Sequence, residues 1–263
     1  MDDRANRAID RVWSTLNPLA PVRDPLLALF HPYAYGQGED FDSRLRATEF
    51  VWRLPPTVAR LASPYLIRDW TVGQAAPSGL YLEFGVAGGL STNQIARSLR
   101  RRIPEARLYG FDTFEGLPEP WRTGVGAGEY AQSELPRVEP NVTLVEGRFE
   151  ETLVPFLRHH ERAAAFVHID CDLYSSTRFV LSTLLKEGRL RGGSILLFDE
   201  LFNYPGWHQN GEYRALVELF PTKTLRHEFI AVTPFFGRAA VRLVDLGPVP
   251  AEESTPSTVP TVR

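Results

Sequence analysis

The sequence predicts an α/β protein: a Rossmann-like, doubly wound sheet, mostly parallel with one antiparallel terminal strand, preceded by a helical region. Three observations carry this. From about residue 79 to 244, short apolar runs alternate with stretches of helical periodicity, the pattern of strands and helices packed in layers. The first run opens directly into a glycine-rich turn, Gly85-Val86-Ala87-Gly88-Gly89, and then a helix. The last two runs are joined only by a short turn around Phe235 and Gly237. A parallel crossover needs about a dozen residues or more, so these two strands are expected to be antiparallel neighbours.

The elements follow in order. Residues 1–76 are rich in aromatics and proline, show no alternating strand pattern, and are expected to form helices at 5–16, 44–51 and 58–70, a helical lid region. Residues 77–246 hold the main domain. Its strands are expected at 80–84, 107–111, 142–145, 165–169 and 194–198, then 228–232 and 239–244. Its helices are expected at 92–101, 151–159, 177–186 and 212–220. Residues 247–263 mix Pro, Thr, Ser and Glu, bury little, and read as a disordered tail.

Composition narrows the function classes. A chain of 263 residues suits one large domain with an added lid. Its formal charge of −3 gives no basic surface for nucleic acid. The tight basic cluster, Arg100, Arg101 and Arg102, falls at the end of an expected helix, where the helix dipole favours cations. No run approaches the ~20 apolar residues of a membrane helix, and the charged start, MDDRANRAIDRVW, is not a secretory leader. Cys171 is the sole cysteine, which excludes internal disulfides and Cys-rich metal sites. A cytoplasmic protein is expected.

In an open parallel sheet, ligands bind beyond the carboxyl ends of the strands. There Gly85 permits a sharp exit from the first strand, and Gly88 and Gly89 let the backbone approach a ligand. Ser91 or Thr92 is placed to cap the helix that follows. Glu83 puts a carboxylate at the strand tip. That charge would repel a pyrophosphate, but suits the amino group and sulfonium of S-adenosylmethionine (SAM). The loop therefore favours SAM, with an NAD-dependent oxidoreductase or a non-catalytic SAM-binding protein as alternatives. No Tyr-x-x-x-Lys string supports the oxidoreductase. Asp112, closing the second strand, suits a ribose diol. Gly147, Arg148 and Phe149 follow the third strand; Phe149 either flanks an adenine ring or packs in the core.

The fourth strand ends at Asp170 and the fifth at Asp199-Glu200. As neighbours, these strands would bring the three acids together beside the sulfonium. Carboxylates so close raise one another's pKa unless a cation intervenes. An all-oxygen set favours Mg²⁺, which would lower the pKa of a substrate hydroxyl; direct orientation of the substrate by one acid is the alternative. Asp172 leads into Ser175, Ser176 and Thr177 and reads as a helix start. Asp170 and the loop residue His208 are the catalytic candidates, His208 as a general base or simply an exposed histidine. The expected partner is a small-molecule acceptor with a hydroxyl group.

Five strings carry a resemblance: EFGVAGGLS from Glu83, YGFDTFEGLPEPW from Tyr109, VEGRFEETL from Val145, HIDCDLYSST from His168 and GGSILLFDELFNYPGW from Gly192. Over residues 81–220 the chain resembles the macrocin O-methyltransferase family of class I SAM-dependent methyltransferases. The resemblance implies methyl transfer from SAM, with Mg²⁺, to a hydroxyl of an antibiotic sugar or similar natural product. It implies Glu83, Gly85 and Asp112 as SAM contacts and Asp170, Asp199 and Glu200 as metal ligands. The family has two aspartates and a tyrosine after strand five, where this chain has Asp199-Glu200-Leu201. Family members commonly assemble, which leaves a homo-oligomer open. Their N-terminal region covers the site, making Tyr33, Tyr35 and Trp52 lid candidates.

Overall fold

The computed structural model describes residues 41–202, 204–220, 222 and 224–245. The expected helix at 5–16, Tyr33, Tyr35 and the tail at 247–263 lie outside the described residues. The elements run α1 (Phe41–Arg53), β1 (Ala59–Arg60), α2 (Pro64–Gln74), β2 (Leu80–Phe84), α3 (Leu90–Arg102), β3 (Leu108–Asp112) and β4 (Val142–Glu146). They continue with α4 (Phe149–His159), β5 (Ala164–Ile169), α5 (Tyr174–Lys186), β6 (Ile195–Phe198), α6 (Gly211–Leu219), β7 (Leu225–Thr233) and β8 (Arg238–Asp245).

The strands form one sheet in the order β1-β7-β8-β6-β5-β2-β3-β4. The expected mostly parallel sheet is present. Only β8 is reversed, antiparallel to both β6 and β7. It is last in the chain but sits inside the sheet. The short turn at 234–237 returns the chain beside β7, and β8 then slots against β6. The one unexpected strand is β1, two residues pairing parallel with β7 at the sheet edge. Two residues are too few for an alternating pattern, so residues 58–70 looked like one helix. The helix instead begins at Pro64, where Ser63 accepts a hydrogen bond from the Leu66 amide and proline supplies the preset φ of a first turn.

Burial follows from position in the sheet. β2, β5 and β6 are buried along their whole length, which explains their largely apolar runs, interrupted only by Glu83 in β2 and His168 in β5. One face packs Leu82, Phe84, Val167 and Phe198 against α1, α4, α5 and α6. The other packs Tyr81, Phe166, Ile195 and Leu197 against α2 and α3. Each such side chain contributes roughly 1.5–3 kcal/mol by leaving water. Among the described residues, no helix is long and apolar enough to cross a membrane.

Candidate active site

β2 runs outward to β3 and β4 on one side; the chain then returns to β5 and β6 on the other. Strand order therefore reverses between β2 and β5, and a crevice opens at their carboxyl ends. Backbone bonds fix the tips level with one another: Asp170 N–H donates to the Phe84 carbonyl at 2.8 Å, and Asp199 N–H to that of Ile169 at 2.9 Å. A cavity of about 500 Å³ lies over these tips, the size of a small-molecule site. All four non-glycine residues with positive φ among the described residues, Ala87, Phe114, Tyr130 and Asp172, line it or adjoin its lining. Backbone strain of this kind collects at functional sites.

The turn after β2 is shaped by two residues. Gly85 has φ +92, and a Cβ there would stand 1.9 Å from the Asp170 carbonyl oxygen, so no other residue fits against β5. Asp112 holds the turn from the neighbouring strand. One carboxylate oxygen accepts the amides of Val86 and Ala87 at 2.7 and 2.8 Å; the other accepts that of Phe114 at 2.7 Å. Asp112 still lines the cavity, and a carboxylate offers about four acceptor positions, so a ribose hydroxyl has one to use. Gly85, Arg148, Phe149 and Asp170 line the cavity too. Gly89 and Ser91 do not: Gly89 caps α3 with φ +77, and Ser91 lies buried within the helix. The expected side-chain cap from Ser91 or Thr92 is therefore absent. Gly147, with φ +130, sits one residue before the lining.

Beneath the cavity runs a chain of buried charge. Glu83 is fully buried, and its Oε1 accepts from His168 Nδ1 at 3.0 Å on the adjacent strand. His168 Nε2 faces Asp199 Oδ1 at 3.4 Å. Asp199 in turn takes Arg68 from α2 at 2.7 Å and Arg238 from β8, whose Nε donates at 2.7 Å and whose Nη2 reaches the second oxygen. Burial works against the charge on Asp199, but Arg238 and then Arg68 hold it well below the usual carboxylate range. Burial likewise opposes a charged His168, yet its bonds to Asp199 and Glu83 carry it up to about 9.

The other acids behave in the opposite way. Burial, then the Asp199 carboxylate, pushes Asp170 up to about 7. Burial pushes Glu200 up to about 8 against the pull of Arg238. Burial, with Asp170 and Glu200 nearby, raises Asp172 well above its ordinary value. Glu212 on α6, fully buried with Oε2 accepting the Glu200 amide at 3.0 Å, is raised by burial and by Asp172.

Two fit tests follow from these partners. Glu83 Oε2 is buried with no hydrogen-bond partner among the described residues, but Glu83 lies beneath the cavity and does not line it, so the expected contact with a ligand amino group is not met at its surface. Asp170 and Glu200 are crowded acids that a cation would relieve. Asp199 differs from both, because its oxygens already face two guanidiniums. His168, Asp170 and Asp199 each offer a ligand atom within 4.8 Å of the others. Glu200 does not complete that cluster.

The residues 113–141 between β3 and β4 close the cavity from above. Trp121, Arg122 and Tyr130 come from this segment, and the Arg122 guanidinium lies 3.9 Å over the Trp121 ring. Trp121 closes the string YGFDTFEGLPEPW, which by itself carries no sign of its place at the cavity. Arg68 and Arg238 had no signal at all, since each acts from an element distant in sequence. His208 is not brought to the cavity. It lies 3.9 Å from Asp42 of α1 and beside the Trp207 ring. Trp52 is 59% exposed on α1, away from the cavity lining.

Comparison with known proteins meets this geometry. Residues 82–201 match the model of a family described as a methyltransferase domain. That segment holds the turn, the second-strand aspartate and the acids of β5 and β6, and the chain is an enzyme of the methyltransferase class. The calicheamicin methyltransferase CalS11 has the same fold at 21% identity, over 92% of this chain and 94% of that one, with a TM-score of 0.57. A second structure of CalS11, described as a TDP-rhamnose 3′-O-methyltransferase in its apo form, is 22% identical over 92% of this chain and 96% of that one, with a TM-score of 0.51. No curated protein sequence matches.

Proposed function

We propose that this protein transfers the methyl group of SAM to a hydroxyl of a small natural-product molecule, a sugar foremost. One observation carries the reading: a single cavity joins an Asp112-braced glycine turn, suited to a nucleoside, to the crowded acids Asp170 and Glu200. SAM, when bound, supplies an electrophilic methyl group. The chain's own residues do the rest. Asp112 orients the ribose and Phe149 flanks the base. Asp170 would accept the proton of the acceptor hydroxyl as the new C–O bond forms and the S–CH3 bond of SAM breaks, its electron pair staying on sulfur and S-adenosylhomocysteine leaving. The 113–141 segment excludes water and holds the two reactants in line. A divalent cation would be held by Asp170 and Glu200, with Asp199 joining by yielding an arginine contact; its charge would lower the hydroxyl pKa. The macrocin-like strings and the sugar substrate of CalS11 support a glycosidic acceptor.

Calorimetric titration with S-adenosylhomocysteine, with and without Mg²⁺ and beside an NAD control, tests the reading. S-adenosylhomocysteine is expected to bind and NAD not. Asp112→Ala, which strips three backbone amides of their acceptor, is expected to weaken binding at least ~10-fold, about 1.4 kcal/mol. Binding of NAD instead, or of neither, overturns the assignment.

A further inference from the structure

The acceptor end of the cavity has a charge that its proposed chemistry does not require. Among the described residues, seven carboxylates line the cavity against two guanidiniums, Arg122 and Arg148. Some of this charge has an owner. Asp199 is neutralised by Arg68 and Arg238. Asp112 spends itself on backbone amides. SAM carries a net positive charge and faces the tips of β2 and β5. A cation at Asp170 and Glu200 would absorb two more.

Asp172 remains. It shares the cavity lining with Trp121, Arg122 and Tyr130 of the covering segment. It is 8% exposed and lines the cavity, and no side-chain hydrogen bond to its carboxylate forms among the described residues. Its backbone is held at φ +58, a conformation that costs a non-glycine residue and persists only where the surroundings impose it. It is not a simple helix cap, since α5 begins at Tyr174 with Leu173 as its cap and no side-chain cap bond. The buried Tyr204 hydroxyl likewise makes no hydrogen bond among the described residues. The rings of Trp121 and Tyr130 line the same space. Burial and the neighbouring acids disfavour an ionised Asp172, so an ammonium group is the partner that would hold it as a carboxylate, and the aromatic faces lining the same cavity favour the same cation. A diphosphate offers it no such partner.

We propose that the acceptor enters as a cation: a hydroxylated molecule, such as an amino sugar, whose protonated amine is received by Asp172 beside Trp121 and Tyr130. This rests on the methyltransferase reading and sharpens its substrate class. Arg122 stands over Trp121 from the same segment, so the amine approaches from the Asp172 and Tyr130 side. The sugar nucleotide named for CalS11 would be rejected here despite the shared fold.

The test is binding to protein saturated with S-adenosylhomocysteine. Three probes are compared: methyl 3-amino-3-deoxyglucoside, methyl glucoside and TDP-rhamnose. The amine is expected to bind at least ~10-fold tighter than its hydroxyl counterpart, with TDP-rhamnose weakest. Asp172→Asn keeps the left-handed backbone accessible and is expected to erase the preference for the amine. Equal affinity for the first two probes, tighter binding of TDP-rhamnose, no binding of the amine, or a preference that survives in the variant each overturns the proposal. The ranking in the unaltered protein stands whether or not the variant folds. Binding of S-adenosylhomocysteine in the same runs separates the two failures: if it is lost, the methyltransferase reading falls; if it is kept without amine preference, only this inference falls.

Discussion

At the scale of single residues, the most consequential contact is between Arg238 and Asp199. Both are buried, and the arginine reaches both carboxylate oxygens. Removing one partner of a buried pair leaves an uncompensated charge. Arg238→Ala is therefore expected to lower stability by about 3–5 kcal/mol, measured by chemical denaturation. A loss under ~1 kcal/mol, the range of a surface pair, would show that Arg68 and His168 suffice for Asp199. The sequence revealed the residues whose chemistry is local. Gly85, Asp112 and Asp170 each follow directly from a strand end. It could not reveal Arg68 or Arg238, which lie 131 and 39 residues from Asp199. An arginine carries no mark of the acid it will meet.

At the scale of elements, the 113–141 segment is fastened unevenly. Its far leg is tied to α3: Asn93 donates to the Arg137 carbonyl at 2.9 Å and accepts from the Glu139 amide at 2.8 Å, while Arg97 and Arg100 pair with Glu139. Its near leg holds to α5 through Ser175 and Glu119, at 2.6 Å on the surface. The basic cluster at the end of α3 is structural, as expected, since Arg101 and Arg102 pair with Asp69 of α2. Asn93→Ala is expected to speed hydrogen exchange across 113–141 and raise KM for the acceptor several-fold, with a loss of global stability of only about 1–2 kcal/mol. Unchanged exchange would mean that the Glu139 ion pairs alone hold the leg. Helix and strand positions were legible because each carries its own periodicity. The cover was not, because a 29-residue stretch without periodicity gives no sign that it is folded.

At the scale of the whole molecule, the buried charges set the pH dependence of folding. His168 has its pKa raised from 6.5 to about 9. Its contribution is full below about 6.5 and is lost as pH rises through about 9. Asp170 and Glu200 are raised from 3.8 and 4.5 to about 7 and about 8, so their contribution is present below the ordinary values and disappears through that window. Asp199 is depressed; its contribution is present above 3.8 and fades only as acid protonates it. The three raised groups act in the same direction. The ligand-free protein is expected to be clearly less stable at pH 9 than at pH 6.5 in denaturant unfolding, and His168→Gln should remove the upper part of that slope. A flat profile would show that the carboxylates are neutralised by other means. A bound cation should flatten the lower part, since it favours ionised Asp170 and Glu200.

The sequence by itself determined the layered α/β fold, the reversed last strand, the glycine turn and the acids at the tips of β5 and β6. These follow from short-range rules: apolar periodicity, turn chemistry and the length a crossover needs. Only the tertiary structure decided which acids are neutralised, that His208 faces Asp42 and not the cavity, and that Asp172 lines the same cavity as Trp121 and Tyr130. Those outcomes depend on distances between side chains far apart in the chain. Charge in a buried site is governed by its nearest neighbours, and the fold alone selects them.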